Sequence, residues 1–222
     1  MELFREIIPK VYKFAPDAVD VIASNPVDIL AYATYKITGK NHKEIIGSGT
    51  TLDTSRLRFK LSNNCKIDPR NVHAYILGEH GDSEFPIWSK AMIGGLLFKD
   101  YCKTCIDFNE CNPPSTLEKI FTEVRDSAYK IIDKKGETSY GIGLSLVRIA
   151  QAILENENAV LPISCLIEDF SEINDIYLSL PSVLNRNGVR ETLRLELNEE
   201  EEVHFKNSAE TLKEVLKNIG LQ

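Results

Sequence analysis

Length, composition and charge exclude several classes of protein. The chain has 222 residues, 43% of them hydrophobic, which is enough for one large domain or two small ones. Its formal net charge of −7, without a long basic cluster, argues against a nucleic-acid partner and against an anionic membrane surface. The sequence lacks the apolar run of a signal peptide or of a membrane-spanning segment, so we expect a cytoplasmic protein.

The first part of the chain alternates helical and strand patterns. The predicted elements are a helix over residues 2–14, a strand at 18–23, a helix at 27–38, a strand at 44–46 and a helix near 53–64. This order is typical of a doubly wound sheet with parallel strands. Two strands alone leave open edges and little core, so we expect further strands upstream of Met1.

After residue 70 the pattern becomes that of an α+β domain. The predicted elements are a strand at 71–77, helices at 116–134 and 139–156, an antiparallel meander between 159 and 197, and a C-terminal helix. The meander is inferred from apolar runs that are interrupted at Pro162, Asn174–Asp175, Pro181 and Asn187–Gly188. The last helix has an apolar stripe of Val203, Phe205, Ala209, Leu212, Val215, Leu216 and Ile219. The acidic run Glu199–Glu202 is predicted to be its solvated first turn.

The five cysteines do not predict a disulfide framework or a metal site. Their odd number is unlike that of a secreted disulfide-rich protein. Cys102, Cys105 and Cys111 lie close together, but no second Cys-x-x-Cys pair and no paired histidines complete four ligands. We therefore expect no metal.

Two glycine pairs suggest nucleotide binding only superficially. In Gly47–Gly49 and Gly141–Gly143 the third glycine of GxGxxG is replaced by Leu52 and Leu146. Neither pair is therefore a dinucleotide fingerprint, and any phosphate cradle of the family is expected outside this chain.

His80, in the loop "GEHGD" at residues 78–82, is either a proton carrier or a turn residue. A carboxylate on Nδ1 would raise the pKa of the imidazole and leave Nε2 free for a substrate. Asp53 is the candidate carboxylate and Asp82 its rival, although Asp82 is close enough in the turn to bond backbone instead.

Three other polar residues have a functional and a structural interpretation. Asn25 follows a predicted strand, where α/β sheets place functional groups, but it is also a natural N-cap ahead of Pro26. Asp53 and Arg56 share a helix face, as a surface ion pair also would. Arg58 points away from Arg56, because two residues turn a helix by about 200°.

Four stretches and the C-terminal tail together resemble a known family. They are "SNPVDIL" at 24–30, "GSGTTLDTSRLRF" at 47–59, "NVHAYILGEHGDSEFPIWS" at 71–89, "KGETSYGIGLSLVRIAQAIL" at 135–154 and "NEEEEVHFKNSAETLKEVL" at 198–216. Residues and spacings are similar to those of the NAD-dependent L-lactate dehydrogenases, within the lactate/malate dehydrogenase superfamily. The resemblance implies the remnant of a Rossmann-type domain at residues 1–48, followed by an α+β catalytic domain at 49–222.

The resemblance implies a role for each candidate residue. His80 is expected to donate and accept the proton, and Asp53 to orient it. The residues expected to bind pyruvate or L-lactate are Asn25, Asp28, Arg56 and Thr138, and those expected to contact NAD are Ala23, Ser24, Asn25 and Ser48. The family's activity is hydride transfer between NAD and the substrate, in pyruvate fermentation to lactate.

The same resemblance bears on specificity and regulation. Glu79, where malate enzymes usually have glycine, and the Lys135–Thr138 signature favour lactate over malate. Arg58 and His73 resemble the site at which bacterial members bind fructose 1,6-bisphosphate at a subunit interface, and the expected assembly is a homotetramer. The alternative is that Arg58 is a solvated helix residue and His73 an ordinary strand residue.

The resemblance also implies that this chain lacks the family's first third. The glycine fingerprint, the acidic residue for the adenosine ribose and the mobile loop with its arginine are not among the 222 residues. We therefore expect the isolated chain to have little activity. Two interpretations remain open: an incompletely recorded dehydrogenase, and a non-catalytic remnant that associates with full-length subunits.

Overall fold

Helices and short strands alternate in the first half of the chain, and long strands come late. The computed structural model describes residues 1–104, 114–136 and 138–221. The helices are α1 (Glu2–Phe14), α2 (Val27–Thr38), α3 (Thr51–Cys65), α4 (Phe98–Thr104), α5 (Pro114–Arg125), α6 (Ser127–Lys135), α7 (Tyr140–Leu154) and α8 (Glu199–Asn218). The strands are β1 (Asp20–Ile22), β2 (Ile45–Gly47), β3 (Val72–His73), β4 (Ile76–Leu77), β5 (Phe85–Pro86), β6 (Met92–Ile93), β7 (Leu96–Leu97), β8 (Ala159–Ile167), β9 (Ile176–Asn185) and β10 (Gly188–Thr192).

One sheet joins the two halves of the chain. Its strand order is β1-β2-β8-β9-β10, and β1 and β2 are parallel, as predicted. The pair Gly47 and Ser164 connects β2 to β8, from which the sheet continues as an antiparallel meander. The parallel remnant and the predicted meander thus form one continuous five-stranded sheet, which spans the predicted boundary between residues 48 and 49.

The prolines of the meander do not break its strands, contrary to the sequence-based prediction. Pro162 in β8 lies directly opposite Pro181 in β9, inside a long ladder. Two facing prolines fit an antiparallel ladder at a non-hydrogen-bonded pair, where neither N–H position faces the partner strand. The predicted turns at Asn174–Asp175 and Asn187–Gly188 do separate the strands.

Two predicted elements are divided in the structure. The strand predicted at 71–77 is split into β3, which pairs with β6, and β4, which pairs with β5. The helix predicted at 116–134 is two helices that meet at Asp126. The prediction of one continuous strand and that of one continuous helix were both wrong, because the local pattern by itself does not show where the chain changes direction.

The C-terminal helix buries part of its predicted stripe. Phe205, Ala209, Leu212 and Leu216 are buried in the core with α2 and β9, whereas Val203 and Val215 are exposed. The acidic first turn was predicted to be solvated, but one of its four carboxylates is not. Glu201 is buried, closes a capping box with Asn198 and accepts hydrogen bonds from the N–H and hydroxyl of Ser89.

Among the described residues, no helix has both the length and the hydropathy needed to cross a bilayer. Of the cysteines considered for a metal, Cys102 is buried without a disulfide, while Cys105 and Cys111 lie outside the described residues.

Candidate active site

The loop that carries His80 is attached to β9 of the five-stranded sheet. Gly78 exchanges two backbone hydrogen bonds with Ser179 of β9, at 3.1 and 2.8 Å. Its φ of +89° and its contact with α8 both require glycine, because a Cβ there would lie 2.5 Å from the hydroxyl oxygen of Ser208. That hydroxyl also accepts the N–H of Glu79 at 2.7 Å. The loop therefore leaves the sheet in a defined direction.

The N-terminal end of α3 is tied to the strand that precedes this loop. The hydroxyl of Thr50 donates to the carbonyl of Ile76 at 2.6 Å, and Thr54 accepts the N–H of Ile76 at 2.9 Å. Gly49 lies so close to β8 that a Cβ would be 2.5 Å from the backbone nitrogen of Ser164. The glycine pair at 47–49 thus serves close packing between α3 and the sheet.

Asp53 and Arg56 project from α3 towards His80. Asp53 Oδ2 lies 2.7 Å from His80 Nδ1, and Asp53 Oδ1 accepts from Arg56 Nη1 at 3.2 Å. The side chain of Asp53 is buried, while those of His80 and Arg56 remain partly exposed. The rival carboxylate Asp82 instead accepts the hydroxyl of Tyr129. The structure therefore brings together the imidazole, the carboxylate and the guanidinium that the sequence singled out.

The surroundings of His80 favour its charged form. Burial lowers the pKa of the imidazole, but the hydrogen bond and the charge of Asp53 outweigh burial and raise it above its ordinary value. The charge of Asp28 acts in the same direction, and that of Arg56 opposes it. With Nδ1 held by Asp53, Nε2 is the nitrogen that can serve a ligand.

Asp28 is a second buried carboxylate that contacts the loop. Its Oδ2 accepts the backbone N–H of His80 at 2.8 Å, while Oδ1 makes no well-aligned hydrogen bond. Burial raises the pKa of Asp28 to about 6, although the adjacent Ser164 hydroxyl and His80 favour the carboxylate. Asp28 therefore contacts the backbone of the loop that carries His80.

Asn25 and Thr138 are available to a ligand. The N-cap of α2 is Pro26, so Asn25 does not have the capping role that the sequence left open. Its exposed side chain has no hydrogen bond among the described residues. Thr138 is half-buried and lies just ahead of α7, whose Gly141 is adjacent to Arg56: a Cβ there would be 3.9 Å from Arg56 Nη2.

Glu84 belongs to the same group of side chains, although the sequence analysis missed it. Single ligand atoms of Asp53, His80 and Glu84 all lie within 4.8 Å of one another, and Glu84 is buried. Three such ligands could hold a metal ion, but His80 Nδ1 and Asp53 are already engaged with each other. The only signal in the sequence is an acidic residue directly before the apolar run Phe85–Ile87.

Comparison with known proteins decides the family. Residues 50–220 match the family model "lactate/malate dehydrogenase, alpha/beta C-terminal domain", and residues 1–47 match "lactate/malate dehydrogenase, NAD binding domain". The chain belongs to the lactate/malate dehydrogenase family. Its mixed α/β fold is that of this family, with part of the NAD-binding domain followed by the C-terminal domain.

The relatives of this lactate/malate dehydrogenase chain include L-lactate dehydrogenases. L-lactate dehydrogenase 1 of Listeria monocytogenes is 46% identical over 216 residues, which are 97% of this chain and 67% of the relative. The L-lactate dehydrogenase of Bacillus caldolyticus is 47% identical, over 96% of this chain and 66% of the relative.

Two solved structures have the same fold. A lactate dehydrogenase from a deep-sea metagenome library aligns with a TM-score of 0.94 at 44% identity, over 99% of this chain and 69% of that chain. The minor L-lactate dehydrogenase of Enterococcus mundtii aligns with a TM-score of 0.92 at 40% identity, over 100% of this chain and 69% of that chain.

The cofactor of the family is NAD, and the residues after β1 and β2 are suited to contact part of such a cofactor. Ala23 and Ser24 follow β1 and Ser48 follows β2, so these residues lie together at the carboxyl ends of two parallel strands. The unpartnered side chain of exposed Asn25 lies at the same edge. Ser48 is buried and its N–H already donates to Ile22, which leaves its hydroxyl for any contact. No GxGxxG cradle for the pyrophosphate occurs in the sequence.

Arg58 of α3 contacts the segment that follows His73, whereas Arg56 of the same helix contacts Asp53. The Nε of Arg58 donates to the carbonyl of Ala74 at 3.0 Å, and its guanidinium stacks 4.8 Å from the ring centre of Tyr75. His73 is exposed on β3, next to the residue that Arg58 contacts.

Proposed function

We propose that this chain carries the substrate-binding and proton-transfer half of an NAD-dependent L-lactate dehydrogenase. The observation that carries the proposal is the contact of 2.7 Å between Asp53 and His80, with Arg56 on the other oxygen of the same carboxylate. A partly exposed imidazole, held in one tautomer by a buried acid, suits a group that exchanges a proton with a substrate.

In the proposed reaction His80 is the general acid and base. As the imidazolium it donates a proton from Nε2 to the ketone oxygen of pyruvate, and in the reverse direction it accepts the hydroxyl proton of L-lactate. Asp53 stabilises the charged imidazole and fixes its orientation. The chemistry supplied by the cofactor, when bound, is hydride transfer at the carbon that bears this oxygen.

Arg56 is proposed to bind the carboxylate of the substrate. A guanidinium can present two parallel N–H groups, and only Nη1 of Arg56 donates to Asp53. Asn25 and Thr138 are proposed to line the same pocket, because both lack partners among the described residues. The buried position of Asp28 supports an indirect contribution to substrate binding, through the backbone of His80.

Lactate is the preferred substrate class, and malate is the alternative. The relatives compared above are named L-lactate dehydrogenases and are 46–47% identical to this chain. The chain spans 67% of the Listeria relative, and the upstream loop that is expected from the resemblance to distinguish lactate from malate is not among its residues. Activity with oxaloacetate above that with pyruvate, in a chain extended by its own upstream coding sequence, would favour malate.

The 222-residue chain alone is proposed to have little or no activity. Without a glycine-rich cradle, cofactor affinity is expected to fall by several kcal/mol, as helix-terminus anion sites provide much of such binding. The check is NADH oxidation with pyruvate by the purified chain. Turnover near that of the Listeria enzyme would overturn this proposal, and binding to full-length subunits without turnover would support a non-catalytic partner.

The catalytic assignment is tested in a chimera that completes the chain with the N-terminal segment of the Listeria relative. His80→Gln should lower kcat by about 10²–10⁴-fold, because the general acid is lost, while NADH binding is nearly unchanged. Ser55→Ala, on the exposed side of α3, is the matched control. If His80→Gln turns over like the control, His80 is only a turn residue.

We further propose that Arg58 and His73 bind fructose 1,6-bisphosphate between subunits of a homotetramer. Two cations that meet their symmetry mates across a two-fold axis repel until an anion lies between them. Fructose 1,6-bisphosphate should therefore shift the chimera to a larger assembly in analytical ultracentrifugation at low salt. The variant Arg58→Gln should abolish the shift, and no shift in the parent chimera would remove the proposal.

A further inference from the structure

Glu84 is a buried acid without an obvious ionic partner. Its relative exposure is 5%, and it directly precedes β5, whose Phe85 is part of the core. Among the described residues no N–H or O–H group donates to its carboxyl group. Burying an unpaired carboxylate costs several kcal/mol, and a buried acid normally avoids this by keeping its proton.

Another acid lies beside Glu84. One carboxyl oxygen of Glu84, one of Asp53 and one ring nitrogen of His80 all lie within 4.8 Å of one another. Two ionised carboxylates are acceptors only, so a contact between them needs one proton. Asp53 already accepts from Arg56 on Oδ1 and contacts the imidazole of His80 through Oδ2, which leaves the proton to Glu84.

The charged groups that surround Glu84 come from three elements. They are Asp53 and Arg56 of α3, His80 of the loop, and Arg125 at the end of α5. Burial raises the pKa of Glu84 well above its usual range, and the charge of Asp53 raises it further, against the opposing charges of Arg56 and Arg125. The two cations therefore do not suffice to ionise it.

We propose that Glu84 keeps its proton at neutral pH and donates it to Asp53, which makes Glu84 a positioning residue for the Asp53–His80 pair. Asp53 is then held by three hydrogen-bonding neighbours: Arg56 on Oδ1, His80 on Oδ2, and Glu84. The carboxylate cannot rotate away from the imidazole without losing one of them. The catalytic role of this arrangement rests on the proposed function. The proton shared by Glu84 and Asp53 does not depend on that function.

The first experiment measures the pKa of His80 by NMR in the 222-residue chain, which has only four histidines. Glu84→Gln has the same shape and keeps a donor, but carries no titratable proton. If Glu84 is protonated, this change leaves the charge near His80 unchanged, and the pKa of His80 stays at the wild-type value. If Glu84 is ionised, the change removes a negative charge, and the pKa of His80 falls by about 1 or more. That fall would overturn the proposal.

A second variant separates positioning from simple space filling. Glu84→Leu removes the donor without changing the charge, so the Nδ1–H signal of His80 should exchange faster with water than in the wild type or in Glu84→Gln. Equal exchange in all three proteins means that Glu84 only fills space. If Glu84→Leu does not fold, infrared spectra of the wild type and of Glu84→Gln still show whether Glu84 is protonated.

In the infrared comparison, the wild type at neutral pH should show the C=O stretch of a protonated carboxyl group that is absent from Glu84→Gln. Its absence from the wild type would contradict the shared proton. None of these measurements requires lactate dehydrogenase activity. A chain that shows the shared proton but never reduces pyruvate would therefore contradict the proposed function alone.

Discussion

The first and last helices of the chain have similar patterns and different environments. Both α1 and α8 are amphipathic, but α8 buries Phe205, Ala209, Leu212 and Leu216, whereas α1 buries only Ile8 among its own residues. Helix α8 packs against α2, β5 and β9, while α1 packs mainly against α2, beside the edge strand β1. An apolar stripe therefore predicts a helix, but its burial depends on what the rest of the protein places against it.

The ends of these helices differ in the same way. The N-cap of helix α8 is Asn198, which forms a complete capping box, and Glu201 of this helix also binds Ser89. The N-cap of helix α1 is Met1, which provides no side-chain cap, and the helix leaves Leu3 and Phe14 exposed. We expect the free energy of unfolding to depend strongly on α8 and weakly on α1.

The largest expected effect is that of Phe205→Ala. The side chain of Phe205 is fully buried, so its removal should lower the free energy of unfolding by about 3–5 kcal/mol. Urea unfolding followed by circular dichroism measures this loss. A loss below about 1 kcal/mol would show that α8 is no better packed than α1.

The second effect concerns α2, which both helices contact. The pKa of Asp28, about 6, lies above its ordinary value of 3.8, so the folded protein binds the proton more tightly than the unfolded chain. Raising the pH from about 4 through about 6 therefore costs stability, up to about 3 kcal/mol, and above that range the cost is constant.

The variant Asp28→Asn tests this pH dependence. It keeps an acceptor for the N–H of His80 but cannot ionise. Relative to the wild type it should become more stable as the pH rises from 4 to 7, in parallel urea titrations. A constant difference between the two proteins across this range would contradict the shifted pKa.

A smaller effect is expected at the beginning of α8. Glu201→Ala removes the acceptor of the Ser89 N–H and hydroxyl and half of the capping box, which should cost about 2 kcal/mol. The exposed neighbour Glu202 provides the control, since Glu202→Ala should change stability by less than about 0.5 kcal/mol. Similar losses in both variants would indicate a general charge effect instead of a specific anchor.

The smallest effect is expected in α1. Phe14 is 83% exposed, so Phe14→Ala should change the free energy of unfolding by less than about 0.5 kcal/mol. It is the direct counterpart of Phe205→Ala and is measured in the same way. A large loss would reveal that α1 is packed against something in solution, such as another copy of the chain.

The candidate active site could be predicted in part, because its residues have distinct chemistry and lie in recognisable motifs. Asp53, Arg56 and His80 were singled out together, and the structure brings their side chains into contact. Glu84 was missed because an acid before an apolar run is usually solvated, and only its contact with α3 makes it part of the site. The capping alternative for Asn25 was also settled only by the structure, in which Pro26 has that position.

Local patterns were enough to predict the main helices and the family to which the motifs point. Helix and strand periods depend on neighbouring residues, so α1 and α8 could be predicted from apolar spacing, and α2 from that pattern between Pro26 and Gly39. Three features are apparent only in the folded protein: β2 and β8 join two sheets into one, the proline pair lies inside long strands, and two carboxyl groups meet beside His80. These features depend on contacts between residues that are distant in the chain, and no local pattern specifies such contacts.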